Sequence, residues 1–247
     1  PARRATGRGS AGDGHLRRTI LSALPYSLTL SQHKAVDAIV ADLGKPERML
    51  RMLQGDVGSG KTVVALMAAA AVVESGRQAA LTAPTEILAR QHLKTIAPLA
   101  EASGLHIAIL TGRERGKERA DILTRLENGN IDLLIGTHAL FQDEVAFKDL
   151  ALAIVDEQHR FGVHQRLALT QKGDAVDILV MTATPIPRTL ALTAYGDMDV
   201  SRLDEKPPGR KPIVTRAVPA GVTRSKTDAS SACRSIDRAA TSSSGRA

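Results

Sequence analysis

The sequence predicts an α/β protein, a mostly parallel sheet with helices on both faces. Two observations carry this. Short apolar runs of strand type alternate with helical patterns from residue 31 to residue 183, the order that parallel strands with crossover helices require. Each run also empties into a polar, turn-rich stretch: GDVGSGKT, APTE, TGRE, GTHAL, DEQH and TATP in turn. In a parallel sheet these stretches share the carboxyl edge, where ligands collect.

The elements follow in order. A helix is expected over 31–43, with Ser31 as N-cap and Gly44 just past its end. The strand MLRMLQ (49–54) precedes an Ala-rich helix over 62–75 that Gly76 stops. AALTA (79–83) leads to a helix over 86–101, and HIAIL (106–110) to a helix over 115–127. IDLLIGT (131–137), LALAIVD (150–156) and DILVMTA (177–183) complete the strands, with no internal repeat.

Three segments are expected. Residues 1–15, Gly- and Arg-rich without periodicity, read as a disordered basic tail whose removal leaves the fold intact. Residues 16–218 form the folded lobe. Residues 219–247 hold ten Ser/Thr and only Val222 and Ile236 as large aliphatics, so they read as a disordered or out-of-frame tail. The net charge of +7 sits in the tails, since 21–218 balance 23 basic against 23 acidic groups. Basicity is therefore no argument that the core binds nucleic acid. Cys233, the one cysteine, rules out an intrachain disulfide and a multi-cysteine zinc site. No apolar run reaches the roughly 18 residues of a membrane span, so no membrane partner and a cytoplasmic location are expected.

Gly55-Asp56-Val57-Gly58-Ser59-Gly60-Lys61-Thr62 fits the phosphate-binding pattern G-x-x-x-x-G-K-[ST], between a strand and a helix. The glycines let the loop turn its N–H groups inward, and the helix adds its positive end. Lys61 is expected to reach the β- and γ-phosphates of ATP, and the Thr62 hydroxyl to ligate Mg2+. Asp156-Glu157, at the end of an apolar run, also suits the acidic start of a helix. With a phosphate loop 95 residues upstream, it reads instead as a catalytic pair on a neighbouring strand. Asp156 then holds the metal shell, and Glu157 polarises the attacking water.

GDVGSGKT, TAPTEILARQH, LTGR, GTHAL, DEQHRFGVHQR and TATPIPRTLAL, in this order, resemble the first motor lobe of superfamily 2 DNA helicases. Over residues 16–218 the match is nearest to the RecG family of ATP-dependent branch-migration helicases. The resemblance implies a RecA-like P-loop NTPase fold, with ATP and Mg2+ as cofactors. It implies branched or forked DNA as partner, held through its backbone, with no oligomer required. Gln32 would contact adenine; its plain alternative is an exposed Gln at a helix start. Gln158 and His159 would link the nucleotide to Thr182 and Thr184, coupling hydrolysis to DNA movement. Pro84, Thr85, Arg113, Thr137 and His138 fall where such lobes touch DNA. Thr85 also suits a helix cap, and Arg113 a solvated face.

In that family a wedge domain engages the junction, and a second lobe carries the arginine finger. Here the family-like sequence stops after DEKPPGRKPIVTRAVP, so a helicase ATP-binding lobe inactive alone is expected. Transcription-repair coupling translocases share several elements, but DEQH rather than DEEH favours RecG. A non-catalytic nucleotide-binding fragment is the alternative of a different class.

Overall fold

The structure, a computed structural model, describes residues 6–156, 173, 175–183 and 198–205. Contacts divide the chain into Pro1–Pro208 and Gly209–Ala247, and the second unit lies outside the described residues. The described residues of the first hold seven strands: β1 (Leu50–Gly55), β2 (Gln78–Thr82), β3 (Ile107–Leu110), β4 (Leu133–Gly136), β5 (Leu150–Asp156), β6 (Asp177–Thr182) and β7 (Asp199–Leu203). They form one sheet in the order β3-β4-β2-β5-β6-β1-β7, and every pairing is parallel. The helices are α1 (His15–Ala23), α2 (Leu30–Leu43), α3 (Lys61–Val73), α4 (Glu86–Ser103) and α5 (Gly116–Glu127). No helix among the described residues is long and apolar enough to cross a membrane.

The period-two alternation of strand side chains assigns the two faces. Ala79, Leu81, Leu133, Ile135, Leu152 and Ile154 join the core beneath α1 to α4, while Ala80, Leu134, Ala153 and Val155 join the core with Ile122 and Leu126 of α5. Val63 to Val72 of α3 are all buried, because this helix packs on the sheet and also meets α1, α2 and α4. Its Ala-rich sequence permits that close approach.

Three local expectations are corrected. The N-cap of α2 is Thr29, not Ser31: the Thr29 hydroxyl accepts from the Gln32 amide, and the Gln32 side chain accepts from Thr29 N. This reciprocal pair is a capping box. α1 and β7 carried no recognised signal. α1 buries only Ile20, and DVSRL in β7 is an edge strand with one neighbour, so it lacks an apolar run.

The third correction concerns residues 6–14, which lie against the lobe instead of forming a disordered tail. Gly7 N donates to Pro46 O (2.7 Å), Ser10 N to Leu43 O (2.5 Å) and Gly12 N to Ala71 O (2.9 Å). Arg8 pairs with Asp149 at 2.7 Å, and Arg77 donates to Gly9 O (3.0 Å) and Ser10 Oγ (2.6 Å). Glu74, at the end of α3, then accepts from Gly14 N and Arg17 N, standing in for the side-chain cap that Gly14 lacks. Glycine is needed because the backbones nearly touch. A Cβ on Gly12 would lie 1.9 Å from the Glu74 Cβ, and one on Gly7 2.6 Å from the Glu47 carbonyl.

Under this strap Asp177 is buried at the start of β6, its Oδ1 accepting from Met49 N at 2.6 Å. Burial pushes its carboxyl from 3.8 up to about 6, against the Met49 bond and the charges of Arg48, Arg8 and Arg77. The folded protein thus holds this proton more tightly than the unfolded chain. The resulting stability is fully present below pH 3.8 and is lost as pH rises through about 6. Asp177→Asn, which keeps the acceptor, is expected to be more stable than wild type at pH 8 by up to about 3 kcal/mol. The advantage should vanish near pH 4. Urea midpoints across this range check it, and a pH-independent difference would contradict it.

Candidate nucleotide site

The loop between β1 and α3 turns through left-handed glycines, Gly58 at φ 78° and Gly60 at φ 87°, and closes with Ser59 N donating to Asp56 O at 3.0 Å. Gly55 sits where a Cβ would come within 2.5 Å of Ser59 Oγ and 2.9 Å of Leu203 Cβ. Lys61 Nζ, at the start of α3, donates to Gly55 O (2.6 Å) and Asp56 O (3.0 Å). The loop, Lys61 and Thr62 line a cavity with Pro84, Thr85, His92, Asp156 and Tyr26.

Gln32, which the resemblance implies at adenine, is not an exposed helix-start residue. It is 1% exposed, its Oε1 accepts from Thr29 N, and its Nε2 donates to Ser59 O at 2.8 Å. In this arrangement it braces the phosphate loop. A Cβ on Gly60 would lie 2.2 Å from Gln32 Nε2, so the two positions constrain each other. Tyr26, half-exposed in the same cavity, was not singled out in the sequence, because a lone aromatic before a helix carries no spacing signal.

Asp156 ends β5, but β5 is not the neighbour of β1, because β6 lies between them. Register places Thr182 of β6 opposite Gln54 and Met181 opposite Asp156. Thr182, 1% exposed, thus stands between the phosphate loop and Asp156. His92 of α4, absent from the sequence reading, reaches both sides. Its Nε2 lies 2.7 Å from Asp156 Oδ2 and its Nδ1 3.4 Å from Thr62 Oγ1. Its place in TAPTEILARQH, seven residues after Thr85 and so on the same helix face, is the signal that could have found it. Glu157, Gln158, His159 and Thr184 lie outside the described residues.

The positions expected at DNA follow β2, β3 and β4, and two of them, Pro84 and Thr85, also line the nucleotide cavity. Thr85 is the N-cap of α4, accepting from Leu88 N at 3.3 Å. Arg113 is 72% exposed and pairs with Glu86 at 2.6 Å, so its charge is already part-neutralised. Glu86 also holds Arg90, which reaches the buried Glu114. Burial alone would raise the Glu114 carboxyl, but bonds from Thr111 and Arg90 hold it below its ordinary value. Thr137 is buried and His138, at the start of a 3-10 turn, is exposed.

The model of the DEAD/DEAH box helicases matches residues 29–193, which include the phosphate loop, Asp156 and these positions. The chain belongs to the DEAD/DEAH box helicase family. Within it, this helicase lobe is 52% identical over 207 residues to the ATP-dependent DNA helicase RecG of Pasteurella multocida, covering 82% of this chain and 30% of that protein. It is 55% identical over 195 residues to RecG of Bacillus subtilis, covering 79% and 29%. A solved structure of RecG bound to a three-way DNA junction superposes with a TM-score of 0.72 at 46% identity, covering 84% of this chain and 28% of that one. The chain therefore spans about 30% of the length of the RecG relatives it matches. The RecA-like parallel sheet and the RecG likeness drawn from the motifs both hold for this DEAD/DEAH box helicase lobe.

Proposed function

We propose that this lobe binds ATP with Mg2+ and is the ATP-hydrolysing part of a RecG-type helicase that remodels branched DNA in recombination and repair. The observation that carries the reading is the meeting of Lys61 and Thr62, at the start of α3, with Asp156, at the end of β5, on one cavity of about 600 Å³. A hydroxyl and a carboxylate are the hard oxygen donors that Mg2+ takes, and the glycine loop with its helix N-terminus suits a triphosphate. When bound, the metal neutralises phosphate charge. Lys61 exchanges its two carbonyl contacts for phosphate oxygens, and Glu157 accepts the proton of the attacking water. Gln158, His159, Thr182 and Thr184 carry the nucleotide state toward the DNA-facing positions. There Pro84, Thr85, Arg113, Thr137 and His138 meet the sugar-phosphate backbone. The junction-bound RecG relative supports branched DNA as the partner. Such work belongs in the cytoplasm.

The test separates the two carboxylates. Glu157→Gln is expected to retain nucleotide and lose turnover by a factor of about 10² or more, because the amide cannot take a proton. Asp156→Asn should instead raise the Mg2+ needed for binding. Nucleotide affinity and DNA-stimulated phosphate release, measured with a three-way junction, decide the matter. Equal loss of binding in both variants would mark the pair as a structural helix start.

A further inference from the structure

We propose that His92 is a positioning residue for the metal-binding oxygens, fixing Asp156 and Thr62 together from α4. The inference rests on the nucleotide-site reading above. Asp156 ends β5 and Thr62 opens α3, on either side of β6, and among the described residues the His92 imidazole has a ring nitrogen on each. Both the His92 and Asp156 side chains are 11% exposed, so their 2.7 Å contact is sheltered from water.

The proton arrangement follows from what each group can do. An ionised carboxylate only accepts, so Nε2 carries the ring proton and donates it to Asp156 Oδ2. In the neutral ring Nδ1 is then an acceptor, and it takes the Thr62 hydroxyl proton. A hydroxyl that ligates a cation must send its proton away from it. His92 provides that acceptor and leaves the Thr62 lone pairs turned to the cavity. The same ring selects one orientation of the Asp156 carboxylate, whose second oxygen stays available. Partners of this kind, one step behind the ligands, set ligand direction and govern metal affinity.

The helix that carries His92 also carries Thr85 at its N-cap, on the same face two turns earlier. Thr85 belongs to the edge proposed to meet DNA. One helix therefore bears on both the metal ligands and the strand-facing edge, through residues fixed at helical spacing.

The experiment measures binding of a fluorescent ATP analogue to the full chain, first in EDTA and then across a Mg2+ titration. His92→Ala and His92→Phe are expected to raise the Mg2+ concentration for half-maximal binding about tenfold, while binding in EDTA stays within about twofold of wild type. His92→Gln should recover most of the loss, because its amide N–H can reach Asp156. His92→Asn, which can mimic only Nδ1, should recover little. The phenylalanine and glutamine variants keep the volume and maintain the test if the alanine variant does not fold. Wild-type titrations for both the alanine and phenylalanine variants would overturn the proposal, as would a loss in EDTA equal to the loss in Mg2+. Both results leave the nucleotide site standing. If wild type itself shows no Mg2+-dependent binding, the nucleotide reading fails and takes this proposal with it.

Discussion

Lys61→Ala is expected to weaken binding of a fluorescent ATP analogue by about 30- to 1,000-fold, the equivalent of about 2 to 4 kcal/mol for a cation facing a triphosphate. Lys61 Nζ now rests on the carbonyls of Gly55 and Asp56, at 2.6 and 3.0 Å, so the side chain is held at the mouth of the loop. Exchange of those neutral acceptors for charged phosphate oxygens is what the substitution removes. The loop itself should survive, because its shape comes from Gly58, Gly60, the Ser59-to-Asp56 turn and the brace from Gln32. An unchanged melting temperature with lost nucleotide binding is thus the expected pair of results. Affinity equal to wild type would remove the phosphate-loop reading.

Deleting residues 1–12 is expected to lower stability by about 2 to 4 kcal/mol, where a disordered tail would cost nothing. The deletion strips donors from the carbonyls of Pro46, Leu43, Ala71 and Leu150, and leaves Asp149 and Arg77 without Arg8, Gly9 and Ser10. Each polar group left unsatisfied in a sheltered place costs about 1 to 3 kcal/mol, and water repairs part of that. Gly12→Val should reproduce much of the loss in the undeleted chain, since its Cβ would overlap Glu74. Urea denaturation followed by circular dichroism measures both. Midpoints equal to wild type would mean that the strap is only a surface decoration. The strap also bears on DNA affinity. Arg8 and Arg17 are held by Asp149 and Glu74, so these two arginines cannot act as loose cations seeking phosphates.

The sequence by itself determined the elements that bury whole runs. The strands at 78–82, 133–136, 150–156 and 177–182 lie within two residues of their expected ends, because a strand covered on both faces is apolar along most of its length. The phosphate loop was legible for a related reason: glycine conformations, a lysine and a hydroxyl at fixed spacing are local requirements. Elements with one exposed side escaped. β7 has one sheet neighbour, and α1 buries one residue, so neither needed an apolar pattern.

Tertiary structure alone decided what distant residues share. Residues 6–14 are polar and glycine-rich, which in isolation describes a flexible tail. Their partners lie as far away as Asp149 and Leu150, and no local pattern announces a strap anchored to the lobe by such long-range bonds. The strand order likewise placed β6 between β1 and β5, making Thr182 the residue between the phosphate loop and Asp156. Gln32 was recognised by position, yet only packing showed both ends of its amide committed to Thr29 and Ser59. His92 makes the same point at the site itself. It meets Thr62 and Asp156 across 30 and 64 residues of chain: its spacing from Thr85 fixes the face of α4 it stands on, but how the helices cross the sheet decides which distant groups that face meets.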